Sequence, residues 1–91
     1  MSDMRDITIV YKPSFLREFK KLEKKIQVEA REKMELFKNE ANHERLRVHK
    51  LTGVLKGCYS FSVTYSHRIV FSWEDKNTVA FLAIGTHDIY N

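Results

Sequence analysis

The apolar pattern changes period partway along the chain, and that switch constrains the fold more than any single motif. Between residues 15 and 37 the apolar positions are Phe15, Phe19, Leu22, Ile26, Ala30, Met34 and Phe37, three or four apart, which is one stripe of an amphipathic helix. One helix of that length would overhang so small a domain, so it is expected to fold back near "EKKI" into a hairpin. "KPSF" opens the helix, with Pro13 in the first turn and Ser14 available to cap free N–H groups.

On either side of the stripe the period is two. Ile7, Ile9 and Tyr11 alternate ahead of it. Leu46 and Val48 alternate with Arg45, Arg47 and His49 after it, as in a short strand. Tyr59, Phe61, Val63 and Tyr65 then oppose Ser60, Ser62 and Thr64, and Ile69, Phe71 and Trp73 oppose Arg68, Val70 and Ser72. "EDKN" is a turn of hairpin length, and "TVAFLAI", apolar on both faces, reads as a central strand. The order β-α-α-β-β-β-β predicts an α+β fold, a helical hairpin packed on a mainly antiparallel sheet. The 91 residues suffice for one domain, taken as residues 1–91.

Bulk properties narrow the function classes. No run approaches the ~18 apolar residues of a membrane span, and the apolar run in "MSDMRDITIV" is too short for a secretory leader. The lone Cys58 rules out an internal disulfide framework. A soluble cytoplasmic protein is the expectation. A net charge of +4 favours a polyanion or an acidic protein as partner. His43, His49, His67 and His87 form no close ligand pair with one another or with Cys58, so no metal or other cofactor is expected.

The strand alternation points to chemistry. If the aromatic faces lie against the helices, the other face carries Ser60, Ser62, Thr64 and Arg68, with His49 on the polar side of its short strand. His87 and Tyr90 leave the end of the last strand within reach of that surface. RNA backbone cleavage needs a base for the 2′-OH, an acid for the departing 5′ oxygen and a cation for the charged phosphorane. Histidine, titrating near pH ~6.5, can fill either proton-transfer role.

The segments "YKPSFLREFKKL", "HKLTGVLKGCYSFSV", "HRIVFSW" and "GTHDIYN", in that order, resemble the RelE/ParE superfamily of type II toxins, most of all its YafQ and YoeB branches. The likeness runs from Ile7 to Asn91, and "HKLTG…LKG" and "GTH" are its most specific parts. It implies a ribosome-dependent mRNA endonuclease, metal-independent, neutralised by a cognate antitoxin in a hetero-oligomer. By resemblance His49 is the general base, Arg68 the scissile-phosphate contact and His87 the general acid. Lys56 and Tyr90 become substrate contacts, the second by orienting a base. RelE has two lysines on the strand after "CY", and YafQ has an aspartate and a histidine. This chain has Ser60 and Ser62, which can donate hydrogen bonds to substrate but carry no charge. The ParE branch shares the fold yet poisons DNA gyrase without cutting RNA, and it stands as the alternative, beside an inactive basic binding domain.

Overall fold

A computed structural model describes residues 6–86 and Ile89. Strand β1 (Thr8–Tyr11) leads into helices α1 (Pro13–Lys20) and α2 (Lys24–Phe37). Strands β2 (His49–Lys50), β3 (Tyr59–Ser62), β4 (Arg68–Asp75) and β5 (Thr78–Gly85) follow. One five-stranded sheet results, in the order β1-β5-β4-β3-β2. Only the β1–β5 pair is parallel; the other three are antiparallel. The α+β architecture and the mainly antiparallel sheet are those the periodicity predicts, and β4 rather than β5 is the middle strand.

The helical stripe does break into a hairpin, at Lys21–Glu23, without glycine or proline. Gln27 supplies the stop signal. Its Nε2 donates to the carbonyls of Phe19, Lys20 and Leu22 at 3.0, 3.4 and 3.2 Å, satisfying oxygens that the end of α1 leaves open. The other end of α1 differs from expectation. Lys12 occupies the N-cap with no side-chain bond, while the Ser14 hydroxyl donates to the Leu82 carbonyl of β5 at 2.7 Å. The serine joins helix to sheet instead of capping its own turn.

Phe37, at the end of α2, is the hub of the core. Its ring lies 4.6 Å from Phe61, 4.9 Å from Phe71 and 5.5 Å from Phe81, centroid to centroid. All four rings are fully buried, and truncating a buried phenylalanine to alanine costs about 3–5 kcal/mol. A bulge in β5 keeps this side apolar: Phe71 pairs with Phe81 but Val70 with Ala83, so Leu82 is skipped. The alternation is thereby rephased, and both Phe81 and Ile84 are buried.

The expected strand at residues 45–49 shrinks to His49–Lys50. Residues 43–47 form a turn closed by Val48 N–H to the His43 carbonyl (3.0 Å) and Arg47 N–H to the Glu44 carbonyl (3.0 Å). This pair of bonds is the Schellman closure that usually has glycine at the left-handed position. Arg47 takes that position, with φ 62°. Leu46 is still buried, entering the core from a turn rather than from a strand.

Candidate active site

Cross-strand partners share a face of the sheet, so the register decides which side chains can meet. His49 pairs with Ser60 and Ser60 with Val70. One pleat further on, Ser62 pairs with Arg68 and Arg68 with Gly85. His49, Ser62 and Arg68 therefore lie on the face opposite the phenylalanine core. His49 and Arg68 are two strands and one pleat apart. A strand spacing of about 4.8 Å and a rise of about 3.4 Å per residue put their Cα atoms about 12 Å apart. Two long side chains can converge on a group lying between them.

His49 is exposed, and its Nδ1 lies 2.9 Å from the carbonyl oxygen of Arg47. A carbonyl has no proton to give, so Nδ1 carries the hydrogen and the neutral ring keeps its lone pair on Nε2. The left-handed Arg47 thus orients the imidazole and fixes the tautomer a general base needs. His43 is different in kind. Its Nε2 bonds the Phe37 carbonyl at 2.8 Å and its ring stacks on Phe37 at 4.4 Å, so it closes α2. His67 belongs to the β3–β4 turn, where its Nδ1 is 3.0 Å from Thr64 Oγ1.

Arg68 is half-buried, and its Nη1 is 3.3 Å from each of the carbonyls of Thr64, Tyr65 and His67. The guanidinium stitches the turn that precedes it. Of its five N–H donors, the two on Nη1 are used, which leaves three on Nη2 and Nε for an anion.

Ser60 does not lie where alternation puts it. It faces away from the phenylalanine core, yet it is fully buried and its hydroxyl has its partner within the protein. Val70 and Ala80, also turned away from that core, are buried too. This stretch of the second face is covered, and Ser60 cannot touch a substrate there. Ser62 is half-buried, and Lys56 is exposed in the β2–β3 loop.

Gly85 ends β5 opposite Arg68. Its φ is not in the left-handed region, and the need for glycine is steric: an added Cβ would come 2.6 Å from Ile89 Cγ2. Ile89 N–H returns to the Thr86 carbonyl at 3.0 Å. The chain therefore bends back over Gly85, beside Arg68. His87 and Tyr90 fall outside the described residues.

The charge distribution was the signal that reading motif by motif missed. Arg45, Arg47, Lys50, Lys56 and Arg68 lie between Arg45 and Trp73, a stretch with no Asp or Glu. Of 16 basic and 12 acidic residues, the rest of the chain keeps 16 − 5 = 11 basic against all 12 acidic ones, net −1. The whole basic surplus sits on β2, β3 and the head of β4, around His49 and Arg68. Among the described residues no three His, Cys, Asp or Glu side chains gather in a way that could hold a metal ion, and no helix is long and apolar enough to cross a membrane.

A mainly antiparallel sheet under a helical hairpin, with a histidine and an arginine on its open side, defines a class of small toxins. The profile of the ParE-like toxin domain matches residues 24–91, and the chain belongs to that family. No curated protein matches it in sequence. Among solved structures it resembles YafQ from Escherichia coli BL21(DE3), with a TM-score of 0.71 at 18% identity over 92% of this chain and 97% of that one. A chain of the RelBE2 toxin–antitoxin complex from Mycobacterium tuberculosis aligns with a TM-score of 0.67 at 22% identity, covering 89% of this chain and 98% of that one. A chain of the YoeB–YefM complex from Staphylococcus aureus gives 0.62 at 21% identity, covering 89% and 97%. The fold is that of the RelE/ParE superfamily.

Proposed function

We propose that this protein is the toxin of a type II toxin–antitoxin pair and that it cleaves mRNA in the ribosomal A site, in the cytoplasm, until a cognate antitoxin binds it. The observation that carries the reading is the tautomer of His49. Its Nδ1 is spent on the Arg47 carbonyl, and its exposed Nε2 shares a sheet face with the arginine opposite Gly85.

In this mechanism His49 Nε2 takes the proton of the mRNA 2′-OH. The 2′ oxygen attacks phosphorus in line, and the bond from phosphorus to the 5′ oxygen breaks. His87 gives that oxygen a proton, so the products are a 2′,3′-cyclic phosphate and a 5′-hydroxyl end. The free N–H donors of Arg68 bind the non-bridging oxygens as charge builds. Lys56 holds neighbouring backbone phosphate, Ser62 donates to the substrate, and Tyr90 orients a base. The basic stretch from Arg45 to Arg68 supplies sequence-independent attraction to rRNA and mRNA phosphates.

Base and acid must be in opposite protonation states, so single-turnover cleavage on mRNA-programmed ribosomes should follow a bell-shaped pH profile. His87→Ala should lower the rate by about 10²–10⁴-fold and leave the fold intact. A fully active variant would remove His87 from the acid role.

The second reading is a non-cleaving gyrase poison. The ParE-like family match favours it, as does the lack of charged side chains at Ser60 and Ser62. Under that reading His49→Ala and His87→Ala leave toxicity unchanged.

A further inference from the structure

The loop between β2 and β3 encloses a groove of 440 Å³ lined by Lys50, Leu51, Thr52, Lys56, Cys58 and Tyr59 together with two glycines. It lies across the hairpin from the candidate active site. Lys50 pairs with Tyr59 and Tyr59 with Phe71, so these share the core face, whereas His49 and Ser60 share the other. The helices do not close this end of the face.

Three features of the groove point to one ligand chemistry. Gly53 and Gly57 have φ of 70° and 93°, and the space where a side chain would project is empty to 4 Å. Backbone is therefore open to close approach. Lys56 at φ −53°, ψ 135° and Gly57 form the centre of a type II turn, closed by Cys58 N–H to the Leu55 carbonyl at 2.9 Å. Lys50 and Lys56, both exposed, bring positive charge to this concave backbone. Leu51 and Tyr59 add an apolar lining, and the Tyr59 ring is held by stacking on Phe71 at 5.6 Å. The volume falls in the range of about 300–1,000 Å³ of small-ligand sites.

A unit with a phosphate for the lysines and a flat apolar face for Leu51 and Tyr59 is a nucleotide. We propose that this groove is a second RNA contact, holding one nucleotide of a single strand that crosses the β2 edge beside His49. The proposal rests on the RNA-cleaving reading of the neighbouring site and extends it to the opposite side of the hairpin. An acidic peptide would satisfy the lysines, but the open glycine backbone and the apolar lining fit a base and its phosphate better.

Cys58, the only cysteine of the chain, is a free thiol in the groove wall and reports occupancy. Its alkylation rate is measured with a short single-stranded 2′-O-methyl oligoribonucleotide, and separately with poly-glutamate of equal charge. The RNA should slow alkylation several-fold at saturation. In the Lys50→Ala/Lys56→Ala double variant, checked for folding by circular dichroism, protection should need more RNA. The slope of log affinity against log salt should also fall by about 1.4, at about 0.7 per lost phosphate contact. Alkylation unaffected by RNA, or slowed equally by poly-glutamate, would overturn the proposal. The probe has no free 2′-OH and cannot be cut, so protection is independent of catalysis. His49→Ala should abolish mRNA cleavage and keep the protection. Protection by a wild-type protein that cuts no mRNA would sink the cleavage reading and leave the groove standing.

Discussion

The two edges of the sheet are finished in opposite ways. On the β1 side, β5 runs past its parallel partner, which stops opposite Phe81. Helix α1 takes over from there. Lys12 N–H donates to the Phe81 carbonyl at 3.1 Å, Ser14 Oγ to the Leu82 carbonyl at 2.7 Å, and Glu18 Oε1 accepts from Ile84 N–H at 3.0 Å. Three groups replace the missing strand residue by residue. On the other side, β2 has only two residues, His49 and Lys50, both exposed. A left-handed arginine precedes it and a groove follows it. One edge has its backbone groups filled from within the fold, and the other turns its side chains to solvent. An edge sealed by helix side chains stabilises the sheet, whereas a two-residue edge carrying the basic surplus is free to bind.

Substitutions at the two edges should therefore separate stability from activity. His49→Ala should lower cleavage by about 10²–10⁴-fold while changing stability by less than about 1 kcal/mol, because the residue is exposed. Rate on programmed ribosomes and urea denaturation measure the two sides. A large loss of stability would mean that this edge, too, holds the sheet together.

Glu18→Ala is the converse test. It leaves the Ile84 amide without its charged acceptor and should cost about 1.5–3 kcal/mol in denaturant unfolding. Glu18→Gln keeps an acceptor and should recover part of that. If both variants unfold like the parent, α1 is not the seal described.

Arg47→Gly removes the left-handed strain and should raise stability by up to about 1 kcal/mol, read as a higher unfolding midpoint. Its effect on activity would sharpen the role of Arg47 in orienting His49. The smallest effect lies in the β4–β5 turn. Asn77 N–H bonds Asp75 at 2.8 Å and holds its carboxyl below the ordinary 3.8. The folded state then gains stability that is present above the unfolded value and lost as pH falls through the lowered one. Asp75→Asn should flatten that part of the acid limb.

Periodicity carried most of the fold. It marked the stripe from Phe15 to Phe37, the strand faces, and the helical hairpin packed on a mainly antiparallel sheet. What stayed hidden depended on partners distant in sequence or on an uncommon residue. Ser14 looked like a helix cap because its acceptor, Leu82, is 68 residues away. The hairpin break lacked a breaker because Gln27 caps α1 from the next helix. The turn before β2 passed for strand because arginine stands where glycine usually announces a Schellman closure. Alternation assigned Ser60 to the correct face and said nothing of what covers it. The site was legible in outline: His49 and Arg68 do share a face, although the neutral tautomer of His49 needed coordinates.

Induction of the protein in cells without antitoxin, followed by mapping of RNA ends and DNA breaks, tests the central claim most directly. The account predicts new 5′-hydroxyl mRNA ends in register with codons, arrest of translation, and loss of both with His49→Ala. Intact mRNA with accumulating DNA breaks, unaffected by His49→Ala, would contradict it.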